Sequence, residues 1–427
     1  MTITTTPAPA TFPPIPRRRE SPPAAIGDDR AARSSRLFGV SVMIDGTEPL
    51  PLTPSIIAHC RGGFEPEAAA DLMRIAAAAQ TSVIVDAPPG RGFVVARPAR
   101  FDRTLWTRAL QDTAPIFIRS LFVGSGPHLL FDAAHTKGRP DRVAPLVALI
   151  DAFRTDFPLR ATGGSPAFSA LRLETPDTND GKELSGLCRA LEAPLAAAAK
   201  EIQALVDEPD ERDTSRPRIH VLFADGAHVY IGASTPPWSS AWSMGIPRIR
   251  MPREAPSRST LKLAEAIVTF LGEREPELLR AGMRAVDLGA APGGWTWQLA
   301  HRGLRVTAVD NGPLKGEVAQ DSLVTHLRVD GLSYQPERRV DWMVCDIVEQ
   351  PARIAALVAR WIGEGHARRT IFNLKLPMKK RYDEARRCES IINDTLAKTT
   401  QRHTLVLRQL YHDRQEVTGY CTASARD

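Results

Sequence analysis

The chain has 427 residues, enough for two or three domains, each with its own core. Hydrophobic residues make up 43% and charged residues 24%, ordinary values for a folded protein that exclude a chain disordered throughout. The formal charge of +6 leans towards a polyanionic partner, although solubility alone would explain so modest an excess.

Residues 1–53 are rich in Pro, Thr, Ala and Arg and poor in bulky apolar side chains, so a largely disordered extension is expected there. Within it, Phe38 to Ile44 reads either as a short strand or as a docking peptide. Residues 1–25 lack the apolar centre of a signal peptide, and their prolines argue against the amphipathic helix of a presequence. From Ser55 the texture changes. Ile56 to Ala58 reads as a strand and Glu65 to Ala79 as a helix, followed by a hairpin of Ser82–Asp86 and Phe93–Ala96. Helices are expected at Thr104–Gln111, Val143–Phe153 and Lys182–Leu191, with strands at Ile116–Val123 and Leu171–Glu174. A second hairpin joins His220–Ala224 to His228–Gly232. The mixture lacks strict alternation, which suggests α+β architecture over 54–235. A turn-rich joint then covers 236–256.

Beyond the joint the pattern becomes regular over 257–427. A helix at Thr260–Leu271 precedes a strand at Arg284–Leu288, a helix at Trp295–Arg302 and a strand at Arg305–Val309. Strands follow at Trp342–Cys345, Thr370–Leu374 and Thr404–Gln409, with helices between them at Pro351–Ile362 and Tyr382–Ala397. Such alternation predicts a parallel sheet with helices on both faces, an α/β domain. The longest apolar runs are too short to span a membrane, and five scattered cysteines suggest neither a disulfide framework nor a zinc site. A reducing, cytoplasmic setting fits best.

Val286 to Trp295 carries the strongest local signal: a buried strand ends in an acid, and a small-residue loop then opens a helix. Asp310 closes the next strand, where a carboxylate can accept both hydroxyls of a ribose. The loop is not the dinucleotide pattern GxGxxG, and no Gly-Lys-Ser/Thr follows, so an adenosyl ligand without phosphates is favoured over NAD or ATP. A purely structural turn is the alternative. Asp330-Gly331 can bind an adenine edge or simply turn the chain. Asp346 and Lys375 end two strands read as buried, where unpaired charges are costly, so both read as functional. Lys262 and Glu416 taken alone read as readily as surface charges.

Here the residues carry a resemblance. DLGAAPGGWTWQL, VDNGPL, WMVCDIVEQPAR, IFNLKLPMKKRY and QLYHDRQEVT, with MGIPR and PSRSTLKL before them, resemble the 23S rRNA cytidine 2′-O-ribose methyltransferase family. The resemblance runs from about residue 54 to the C-terminus, more loosely in the first half. It implies a Rossmann-like class I methyltransferase domain behind a ferredoxin-like and THUMP-type RNA-capturing region. It implies S-adenosylmethionine as methyl donor, large-subunit ribosomal RNA as partner, no metal, no membrane and a monomer. Lys262, Asp346, Lys375 and Glu416 match the family's catalytic tetrad, with Lys375 as proton acceptor. Ser259, Ala291, Pro292, Gly293, Gly294, Asp310, Asp330 and Asp346 match its donor contacts. A lysine acts as base only when neutral, so the pKa of Lys375 is expected to fall through desolvation and through the positive charge of Lys262 and the donor. Lys379, Lys380, Arg381 and Tyr382 follow the strand of Lys375 and suit phosphate contact and base stacking, with Arg408 and Arg414 near the same edge. A solvated helix start is their other reading. A methyltransferase of another RNA nucleotide and a non-catalytic assembly factor are the competing functions. An Asn/Asp-Pro-Pro-Tyr/Phe loop would mark base amino methylation, and Asp346-Ile347-Val348-Glu349 stands there instead.

Overall fold

The computed structural model describes residues 54–424, apart from 133, 136–137, 157–166, 212, 214, 237 and 400–401. The expected disordered extension, with its Phe38–Ile44 segment, lies outside the described residues.

Seven strands build a first sheet: β1 (Ser55–His59), β2 (Val83–Asp86), β3 (Phe93–Pro98), β4 (Ser120–Leu129), β5 (Ala170–Glu174), β6 (Arg218–Phe223) and β7 (His228–Ser234). Their order is β2-β3-β1-β4-β7-β6-β5, antiparallel except for the β5/β6 pair. Helices α1 (Glu65–Ala78) and α2 (Arg103–Asp112) connect the first four strands. Both expected hairpins are present. α3 (Val143–Asp156) and α4 (Asn179–Glu201) flank the other end of the sheet, and α4 runs ten residues beyond its expected end through Pro194. The strand expected from Ile116 begins only at Ser120. Its first amides are taken elsewhere, because Ile116 N–H and Phe117 N–H both donate to the buried Asp71 carboxylate at 2.8 and 2.6 Å.

The second sheet holds β8 (Arg284–Leu288), β9 (Arg305–Val309), β10 (Val324–Leu327), β11 (Val340–Cys345), β12 (Ala367–Lys375), β13 (Arg402–Arg408) and β14 (Glu416–Ser424). Its helices are α5 (Thr260–Leu271), α6 (Glu275–Leu278), α7 (Gly294–Ala300), α8 (Pro351–Gly363) and α9 (Arg381–Leu396). The order is β10-β9-β8-β11-β12-β14-β13. The wholly parallel sheet expected from the alternation needs one correction. β14 inserts between β12 and β13 antiparallel to both. A strand that returns directly from β13 by a short loop can only run the opposite way. That reversal sets up the site.

A single apolar cluster runs from the helical side of the first sheet (Ile56, Leu72, Phe117) into the second (Phe372, Cys388, Trp361). Ring contact between Phe117 and Tyr382, 6.1 Å apart at the centroids, lies on this seam.

Candidate active site

β8, β9, β11 and β12 are parallel and so end at one edge of the sheet, which is where open α/β sheets receive ligands. Asp346 directly follows β11 and Lys375 ends β12. Because β14 runs the other way, its first residue, Glu416, stands in register opposite Lys375. Lys262 reaches the same point from the first turn of α5.

Four charges meet there. Lys375 Nζ donates to Asp346 Oδ1 at 2.5 Å and to Glu416 Oε2 at 2.6 Å. Lys262 Nζ donates to both oxygens of Glu416 at 2.7 Å and lies 3.6 Å from Asp346 Oδ2. Two acids thus alternate with two ammonium groups at the rim, none of them fully exposed. The expected fall in the Lys375 pKa is not found. Burial pulls it down, but the adjacent Asp346 and Glu416 carboxylates more than offset this and hold the ammonium above its ordinary value. In the free protein Lys375 is therefore protonated.

A second cluster adjoins the first. Gly289 to Gly294 links β8 to α7, with a cis bond at Ala291–Pro292. Gly293 has φ +113°, a conformation that favours glycine. A Cβ on Gly294 would sit 2.3 Å from Ser259 Oγ and 2.6 Å from Ser257 Oγ, so α7 and α5 start in direct contact. Trp295 Nε1 donates to the Ser259 carbonyl at 3.1 Å across the same junction. Asp310 follows β9 half-buried, its two oxygens accepting from Ala291 N–H at 3.0 Å and Gly312 N–H at 2.7 Å. A carboxylate fixed in this way can accept the hydroxyls of a ribose and has the wrong sign for a phosphate. The donor set therefore fits an adenosyl ligand. Asp330 is exposed and accepts Leu332 N–H at 3.0 Å, so it also makes the turn that the sequence allowed.

The six residues assigned to RNA contact divide. Lys379, Lys380 and Arg414 are exposed. Arg381, Tyr382 and Arg408 are half-buried and make contacts within the protein. Arg381 Nε donates to Glu67 Oε1 at 2.8 Å, its Nη2 donates to the Gly63 carbonyl at 2.7 Å, and its guanidinium lies 3.9 Å from the Phe64 ring centroid. Tyr382 packs on Phe117, and Arg408 donates to the Ile118 carbonyl at 3.1 Å. Beside the tetrad a cleft of about 1220 Å³ opens between the two sheets. Arg61, Lys182, Arg258 and Arg414 line it with Lys262 and Glu416.

Two acids that sequence reading passed over secure this arrangement. Glu67 receives Arg381. Glu265, 1% exposed, accepts Tyr411 N–H at 2.7 Å and His412 N–H at 2.8 Å, and so fixes the loop that leads into Glu416. The signal for Glu265 was an acid on the apolar face of α5.

Comparison with known proteins covers nearly all of the described chain. Residues 53–122 match the RlmM ferredoxin-like domain and 141–235 the N-terminal family of ribosomal RNA large subunit methyltransferase M. Residues 255–402 match the FtsJ-like methyltransferase family. A protein of Azoarcus sp. (strain BH72) named "Ribosomal RNA large subunit methyltransferase M" is 45% identical over 86% of this chain and 95% of its own. One of the same name from Aromatoleum aromaticum is 46% identical over 88% of this chain and 97% of its own. A third, from Methylococcus capsulatus, is 46% identical over 86% and 97%. Among solved structures, Aeropyrum pernix fibrillarin in complex with natively bound S-adenosyl-L-methionine aligns with 49% of this chain and 84% of its own at 17% identity. Its TM-score is 0.29.

Proposed function

Because the chain belongs to the ribosomal RNA large subunit methyltransferase M family, we propose that it methylates the ribose 2′-hydroxyl of a cytidine in large-subunit (23S) rRNA, with Lys375 as general base. The observation that carries this reading is the contact of Lys375 Nζ with both Asp346 and Glu416. Such a group sits where a hydroxyl proton can be received and is aimed by two acceptors.

S-adenosylmethionine, when bound, supplies an electrophilic methyl group. Asp310 would hold its ribose and the Gly289–Gly294 loop its backbone, with Ser259, Asp330 and Asp346 around it. The chain's own residues do the rest. Lys375 must first lose its proton, which the two acids oppose in the free protein. Closing of RNA over the cleft strengthens desolvation, and a cationic donor beside the lysine lowers its proton affinity further. Neutral Lys375 then accepts the 2′-hydroxyl proton while Asp346 and Glu416 hold the resulting ammonium. Lys262 keeps Glu416 in place. Positioning, more than any charge newly formed, supplies the rate.

The 54–235 region, ferredoxin-like and THUMP-type on this reading, grips the RNA away from the reacting ribose, and 257–427 carries the chemistry after the 236–256 joint. Lys379, Lys380 and Arg414, with Arg61, Lys182 and Arg258, are the phosphate contacts. The protein acts as a cytoplasmic monomer. Purified protein, labelled S-adenosylmethionine and 23S rRNA lacking its modification test this directly. Label is expected as a 2′-O-methylated cytidine, with Lys375→Ala at least about a hundredfold slower. Label on a base, or full activity in the variant, overturns the assignment.

A further inference from the structure

Among the described residues, two nitrogen atoms donate hydrogen bonds to both acids of the tetrad. One is Lys375 Nζ. The other is Asn373 Nδ2, which donates to Asp346 Oδ1 and to Glu416 Oε2 at 3.0 Å each. Asn373 is fully buried on β12, two residues before Lys375, so both side chains leave the same face of the sheet. Two carboxylate acceptors take both N–H donors of the amide and leave it one orientation, with Oδ1 turned towards β14. There Thr418 Oγ1 lies 2.8 Å from Asn373 Oδ1 and 3.0 and 2.9 Å from the two oxygens of Asp413.

A hydroxyl has one proton to donate. The amide oxygen cannot donate, so the Thr418 proton goes to Asn373. Contact between Thr418 and Asp413 then requires a proton from the acid. Asp413 Oδ2 already accepts Leu410 N–H at 3.0 Å, which leaves Oδ1 to carry it. The surroundings agree. Asp413 is fully buried, Glu416 of β14 and Glu265 of α5 face it with like charge, and Arg61, beyond β1, opposes them. Burial, with Glu416 adding to it, pushes this carboxyl up to about 8.

We propose that Asn373 is a positioning residue for the tetrad, and that protonated Asp413, acting through Thr418, anchors the far side of its amide and so holds it in that orientation. This rests on the reading of the tetrad as the methyl-transfer centre. Ionised Asp413 would draw the Thr418 proton to itself. Asn373 Oδ1 would lose its donor, and the amide would be held from the tetrad side alone.

The test uses the full-length protein with unmodified 23S rRNA and labelled S-adenosylmethionine, and Lys375→Met as reference. Thr418→Val is expected to lower kcat about tenfold or more, with KM for RNA and Kd for the donor within about twofold of wild type. Thr418→Ser, which keeps the hydroxyl, should return to within about threefold. Asp413→Asn donates an N–H to Thr418 at every pH. Its rate relative to wild type should therefore rise about tenfold between about pH 7 and 9, since effects of pH on Lys375 cancel in the ratio. If Lys375→Met abolishes transfer, the tetrad reading stands. Wild-type kcat in Thr418→Val, or a flat Asp413→Asn ratio, then overturns the positioning role alone. Transfer by Lys375→Met would instead overturn the tetrad reading. Should Thr418→Val fail to fold, the Asp413→Asn ratio decides.

Discussion

Asp287 shows how a residue near the donor site can tie stability to pH. Its Oδ2 accepts from Thr296 Oγ1 at 2.6 Å, while Oδ1 is buried with no hydrogen-bond partner. Burial, with the nearby Asp346 and Asp310 carboxylates adding to it and the Thr296 bond opposing, pushes this carboxyl up to about 7. An unfolded aspartate titrates near 3.9, so the folded protein binds the extra proton between these values. Stability from this group is complete below about pH 4 and is lost as pH rises through about 7, by up to about 1.4 kcal/mol per unit. Asp287→Asn should flatten that slope. Urea midpoints of both proteins at about pH 5 and pH 8 would check it, and an unchanged difference between them would sink the idea.

At the scale of elements, two features decide where the chemistry lies. One is the reversal of β14. Glu416 would lie at the opposite edge, away from Lys375, if that strand ran parallel to β12. The other is the contact of α7 with α5 at Gly294. Alanine there would push its Cβ into Ser259 Oγ and, at 2.9 Å, the Thr260 backbone nitrogen. The start of α5 must then move, and Lys262 moves with it. Gly294→Ala is expected to cost about 1–3 kcal/mol of stability and to weaken both donor binding and transfer. Calorimetric titration with S-adenosylmethionine would test this, and wild-type affinity together with a wild-type rate would contradict it.

For the whole molecule, the loops that flank β1 and β4 of the first sheet join it to the second half. The first half has a structural part in the site. It clamps the loop between β13 and β14. Gln409 N–H donates to the Ile116 carbonyl at 2.7 Å, Arg119 Nη2 to the Leu410 carbonyl at 3.3 Å, and Arg61 Nη1 to the Tyr411 carbonyl at 3.1 Å. That loop carries Asp413 and leads into Glu416, so the docked halves hold one arm of the tetrad. The Arg381–Glu67 pair, 16% and 9% exposed, fastens the other side of the seam. Removing either partner alone should cost about 3 kcal/mol, since the remaining charge stays largely buried. A double-mutant cycle of Arg381→Ala and Glu67→Ala should show coupling of about 1 kcal/mol or more, with slower rRNA methylation in each variant. Additive losses would mean that the two side chains do not act on each other.

Much of this was legible in the chain itself, because the signals are local. Thr260–Leu271, Arg284–Leu288 and Arg305–Val309 have the bounds that periodicity predicts, and the acids and the lysine at strand ends stand out against apolar runs. Asn373 had a signal too, a polar residue within a buried strand. The sequence determined the α/β character of the second half, the strand-end charges and the motifs that mark the family. Direction and pairing were decided only by the tertiary structure. Nothing local tells β14 to insert between β12 and β13, or tells Arg381 that its partner lies 314 residues away. A basic loop reads alike whether it faces RNA or a distant glutamate, because sequence spacing encodes which face a residue takes and not what arrives to meet it.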